Sequence, residues 1–91
     1  MKYSEEDITL NQTCGACPEQ YEAFIGDRQV GYLRLRHGLF RVDYPRCGDE
    51  TIFECETEGD GIFDSDERDI MLRQAKLAIL ERIADRLKNK I

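Results

Sequence analysis

The sequence predicts an α+β fold in which an antiparallel meander sheet of three to four strands packs against one long C-terminal helix. Three observations carry this reading. Val30 to Arg36 and Leu39 to Tyr44 are runs of β-branched, aromatic and leucine residues that meet at the turn-forming pair His37-Gly38. From Phe63 to the end the chain has neither Gly nor Pro and repeats apolar residues at helical spacing. With 91 residues, 41% hydrophobic and 35% charged, the chain has room for one modest core, so residues 1–91 are expected to form a single folded domain.

In chain order, Met1 to Asp7 is polar and acidic and is expected to fray, and Ile8-Thr9-Leu10 has the composition of a short edge strand. Cys14-Gly15-Ala16-Cys17-Pro18 reads as a turn, leading into a strand over Tyr21 to Ile25. There Tyr21, Ala23 and Ile25 compete with Phe24 for the inward face. Gly26-Asp27 supplies the next turn. Because side chains alternate across a strand, Leu33 and Leu35 share one face and Tyr32, Arg34 and Arg36 the other, with Phe40, Val42 and Tyr44 matching the apolar side. Cys47-Gly48-Asp49-Glu50 turns the chain into a last strand, Thr51 to Cys55.

From Asp49 to Asp69 the chain carries ten acidic residues and one base, Arg68, which predicts an exposed negative loop. The helix is predicted over 64–89. Asp64 starts it with Glu67 three residues on, acids crowd its first turns, and Arg86, Lys88 and Lys90 lie near its end, where the helix dipole favours cations.

Totals exclude several functions. A net charge of -6 disfavours general nucleic-acid binding through phosphate neutralisation. No apolar run is long enough to span a bilayer, and the stretch MKYSEEDITL has no apolar h-region, so a cytoplasmic protein away from membranes is expected. In that compartment the four cysteines are expected to be thiols, with no cofactor.

Zinc is the alternative, because Cys14-x-x-Cys17 places two thiolates at the spacing of a tetrahedral site. Cys55 does not join them. Paired strands put it opposite a residue near Val42 or Arg41, on the order of 15 Å from Cys47. The ligands for such a site would be Cys14, Cys17 and Cys47, completed by His37 or water. A thioredoxin-like dithiol does not fit, since a strand and not a helix follows Pro18. Asp60, Asp64 and Asp66 lack EF-hand spacing.

Tyr32, Arg34, Arg36 and Arg41 form a basic and aromatic stripe suited to stacking bases or to gripping an acidic partner, although Glu54 and Glu56 stand within reach to neutralise it. On the helix, Leu72, Ala75, Ile79 and Ile83 form the stripe expected to cover the sheet. A second row, Ile70, Leu77 and Ala84 with Leu80 and Leu87 between the two, widens the apolar arc beyond what one sheet covers. A homodimer through Ile70, Leu77, Leu80, Ala84 and Leu87 is therefore expected.

The stretches Cys17-Pro18-Glu19-Gln20-Tyr21-Glu22-Ala23 and Val30 to Gly38 resemble a group of small uncharacterised phage and prophage proteins with a Cys-Pro-x-Gln-aromatic-acid start and an Arg-rich hairpin. The likeness covers about a third of the chain. It implies a phage-type accessory protein and brings no activity to any residue. GYLRLRHGLF is also similar to the early strands of acetyltransferases, without that family's glycine-rich pyrophosphate turn. No nucleophile, base and orienting group fall into a recognisable arrangement, so the chain is expected to be a non-enzymatic interaction or binding module with a protein partner. The alternatives are a small zinc-stabilised module and an enzyme of another class.

Overall fold

The computed structural model describes residues 3–15, 18–58 and 60–88. Its order is a one-turn 3-10 helix (Glu5–Asp7), strands β1 (Thr9–Gly15), β2 (Glu19–Ile25), β3 (Arg28–Arg36), β4 (Leu39–Tyr44) and β5 (Glu50–Glu56), and helix α1 (Ser65–Lys88). The strands form one antiparallel sheet in sequential order, and α1 lies on one face. The α+β meander is thus as expected, with five strands where three to four were predicted. The additional length is β1. It runs on through Asn11, Gln12 and Thr13, whose polar side chains are all exposed on an edge strand and so carry no apolar alternation.

The central hairpin follows the predicted faces. Leu33 pairs with Val42 and Leu35 with Phe40, and all four are fully buried. Arg36 pairs with Leu39, leaving His37 and Gly38 as a two-residue loop with φ of 54° and 74°. Two successive positive φ values match the twist of a hairpin turn, which Gly tolerates freely and His more readily than most residues.

In β2, Tyr21 and Ala23 point inward, and an irregularity at Ala23/Phe24 breaks the alternation, so Phe24 and Ile25 are both half-buried. A second irregularity at Val42/Asp43 shifts β5 by one place. Cys55 stands opposite Phe40, the neighbour of Arg41, close to its expected position.

Among the described side chains of α1, Ala75, Ile79 and Leu80 are buried, with Met71, Leu72 and Ile83 packed against the same core. The predicted covering stripe faces the sheet, but Leu80, at 5% exposure, belongs with it and leaves the second row. Ile70 and Leu77 remain 57% and 38% exposed, Ala84 is half-buried, and the Leu87 side chain lies outside the described residues. Phe40 stands at the centre of the core, edge-on to Phe63 at 5.0 Å and to Phe53 at 6.1 Å between ring centroids.

Two segments are better tied than their composition suggests. Near the start, where fraying was expected, the 3-10 turn is held to α1 by Arg73 Nε donating to Glu5 Oε1 at 3.1 Å. The acidic connection after β5 is stitched by backbone hydrogen bonds from Gly38 N to Asp60 O, Thr57 N to Gly38 O, and Glu19 N to Gly61 O. Its acidic side chains face water while Phe63 enters the core. Among the described residues, no helix is long and apolar enough to cross a membrane.

Candidate functional site: the uncovered sheet face

The sheet face opposite α1 is built from the side chains that alternate with the core. Its registers place Gln20, Arg34, Arg41 and Glu54 in one row across four strands, Glu22, Tyr32, Asp43 and Thr51 in the next, and Arg36, Leu39 and Glu56 in a third. The predicted stripe is therefore one contiguous patch. Its centre is unusual, because Arg34 and Arg41 are direct cross-strand neighbours, and like charges opposite each other weaken a sheet.

The expected neutralisation by Glu54 and Glu56 does not occur: among the described residues neither acid forms an ion pair with an arginine. Arg41 turns along its own strand instead, to Asp43, with Nε 3.1 Å from Oδ1. That contact is an ion pair without hydrogen-bond geometry, so the buried Arg41 Nε–H has no acceptor aimed at it. Asp43 is the stronger attractor because it is 1% exposed, with less water to screen its charge than Glu54 has. Its carboxylate accepts hydrogen bonds from Gly48 N and from the Thr51 hydroxyl, both at 2.9 Å. Arg34 and Arg36 have no carboxylate within 4.0 Å among the described residues.

Tyr32 is placed differently from the aromatic platform the stripe implied. It is 9% exposed, and its hydroxyl donates to Gln20 Oε1 at 2.6 Å. Burial raises its pKa, the neighbouring Cys47 adds to the rise, and Arg34 and Arg41 oppose it. So buried a ring offers no surface on which a flat ligand could stack.

A second polar cluster lies on the covered side. Glu19 is fully buried, accepting Arg68 Nε at 2.9 Å, Arg68 Nη2 at 3.1 Å, Phe63 N at 3.0 Å and the Tyr21 hydroxyl in a short hydrogen bond. Burial alone would raise the Glu19 pKa. The hydrogen bonds from Arg68, Tyr21 and Phe63 and the Arg68 charge outweigh it and hold the acid below its ordinary value. Tyr21 is pushed up to about 12, by burial and then by the adjacent carboxylate. Every Glu19 oxygen is satisfied, so the cluster works as a clasp joining β2, the acidic connection and α1.

Neither Glu19 nor Asp43 was recognised from sequence. A signal existed for each: Glu19 continues the inward row of Tyr21 and Ala23, and Asp43 shares a strand face with Arg41.

The zinc ligands do not converge as a set. Cys17 lies outside the described residues. Cys14 stands opposite Gln20 on the edge strand, His37 is at the β3–β4 turn, and Cys47 follows the far end of β4. Six strand residues at about 3.3 Å each separate His37 from Cys47 by on the order of 20 Å, so the two cannot share an ion. Among the described residues, no three His, Cys, Asp or Glu side chains are grouped to hold a metal.

No family model matches this chain, and no solved structure matches it. The chain is similar to calmodulin-binding transcription activator 4 of Arabidopsis thaliana, 28% identical over 61 residues. That alignment takes in 67% of this chain and spans 6% of the length of the plant protein.

Proposed function

We propose that the chain is a non-enzymatic binding module of the phage accessory type, whose uncovered sheet face takes an acidic segment of a partner protein. One observation carries the proposal: Arg34 and Arg36 have no carboxylate within 4.0 Å among the described residues, while Arg34 faces Arg41 across the strand pair. An incoming carboxylate relieves that repulsion and offers bidentate partners to guanidinium groups already held on a rigid sheet. The acids at the margin, Glu22, Glu54 and Glu56, disfavour a long polyanion such as nucleic acid and suit a short segment of a few charges.

The test is titration of a synthetic oligoglutamate peptide into the native chain and into the Arg34→Gln/Arg36→Gln variant. The variant is expected to keep its stability within about 1 kcal/mol and to bind about tenfold more weakly, with the native affinity falling as salt rises. Equal binding by the two chains sinks the proposal.

A second reading, the homodimer through α1, is supported by the exposure of Ile70 and Leu77, seven residues apart on the helix. It uses the opposite side of the molecule and is compatible with the first.

A further inference from the structure

At the end of the sheet where β2 turns into β3, a cleft of about 310 Å³ opens between the sheet and the C-terminal half of α1. Among the described residues it is lined by Tyr3, Ile25, Arg28, Val30, Tyr44, Ile83 and Arg86. We infer that this cleft binds a small amphipathic carboxylate, one acid group carried on a flat apolar body.

The charge of the lining is the first support. The chain holds 19 acidic residues against 13 basic ones, yet the charged side chains lining the cleft are Arg28 and Arg86, with no acid among the described lining residues. Both arginines are exposed, and neither pairs with a carboxylate among the described residues. Elsewhere four arginines do find acids: Arg41, Arg68, Arg73 and Arg82. Two unpaired guanidinium forks at one cleft select a planar anion that accepts paired hydrogen bonds.

The remaining lining defines the rest of the ligand. Ile25 and Ile83, both half-buried, offer nothing polar from their side chains, half-buried Tyr3 adds ring surface, and the buried Val30 and Tyr44 close the floor. A carboxylate alone would leave that surface wet, and an uncharged hydrocarbon would leave the arginines unused. The volume, about ten waters' share of bulk liquid, lies at the low end of ligand pockets. A single ring with a short acidic arm fits this space, and a dinucleotide does not. The site is separate from the uncovered sheet face, so either proposal can fail without the other.

The experiment is an amide chemical-shift titration of the full chain with phenylacetate, its neutral amide phenylacetamide, and inorganic phosphate. Phenylacetate is expected to give saturable shifts confined to Ile25–Val30, Tyr44 and Ile83–Arg86. Phenylacetamide and phosphate should each bind about tenfold more weakly or worse, the first lacking the charge and the second the apolar body. Arg28→Gln/Arg86→Gln should weaken phenylacetate binding by about tenfold or more while leaving distant amides unmoved, and Arg28→Lys/Arg86→Lys should recover part of it. An absent or non-saturating response to phenylacetate, equal binding of the amide or of phosphate, or an unaffected glutamine variant would each overturn the inference.

Discussion

Glu19 is ionised at a position where the neighbouring inward residues, Tyr21 and Ala23, belong to the hydrophobic core. Glu19→Ala leaves the Tyr21 hydroxyl and the Phe63 amide without their acceptor and is expected to cost about 2–4 kcal/mol. The Arg68 share of that loss is at the low end, because its side chain is 36% exposed and water replaces the partner. The Glu19 acid is held below its ordinary value of 4.5, so its contribution to stability is present above that pH and is lost as pH falls through and beneath it. Arg68→Met removes the chief lowering influence and leaves burial opposed only by the Tyr21 and Phe63 hydrogen bonds, so the acid moves up from its native value. Acid unfolding of that variant, followed by circular dichroism, should begin at a higher pH than in the native chain, and superimposable curves would refute the clasp. Tyr21 behaves in the opposite sense. With its folded value near 12 against an ordinary 10.0, it favours the folded state below pH 10 and loses that effect as pH rises toward 12. Tyrosinate absorbance should therefore show Tyr21 among the late-titrating phenols, together with Tyr32, and in Glu19→Gln the Tyr21 component moves to lower pH. Little of this was legible in the sequence, since the partners are 49 residues apart and a lone Arg in an acidic run reads as a solvated base.

Between elements, α1 seats closely on β3 at Gly31. Gly31 pairs with Ala23, and a Cβ placed on it would lie 2.6 Å from Ile79 Cδ1, 3.3 Å from Ile79 Cγ1 and 3.4 Å from Ala23 Cβ. Ile79 is fully buried and has little room to retreat. Gly31→Ala is expected to destabilise by about 1–3 kcal/mol, the usual cost of overpacking. Ile79→Val deletes the clashing Cδ1, so the double variant should lose less than the sum of the two single losses in denaturant melts. Additive losses would mean that α1 does not seat at Gly31. The inward stripe of α1 was legible because its spacing is helical regardless of partners. Leu80 was not, because how wide an arc one sheet covers depends on packing depth, which spacing does not report. The central hairpin was legible for a complementary reason: its apolar alternation is specified by adjacent residues alone.

For the whole molecule, the exposed pair Ile70 and Leu77 predicts self-association that sedimentation at micromolar concentration can read. The native chain is expected at the dimer mass and Leu77→Glu at the monomer mass. A native monomer, unchanged by the substitution, would defeat the dimer. The sheet's order was legible from its short turns, but the extent of β1 was not, because an exposed polar edge strand is recognised only by the neighbour it pairs with. That sequential order, β1 to β5 without a crossover, has a kinetic consequence. Each strand finds its partner next to it in the chain, so the sheet can assemble by successive short loop closures, each carrying a small entropic cost. The contacts that α1 makes with the 3-10 turn and β3, and the Glu19–Arg68 pair, join residues far apart in the chain. Refolding should therefore be fast for a sheet protein, and destabilising changes in the β3–β4 hairpin should slow folding while those at Glu19 or Glu5 mainly hasten unfolding. Stopped-flow measurements on Leu35→Ala and Glu19→Gln would separate the two, and equal effects of both on the folding rate would contradict an early hairpin and a late-docking helix.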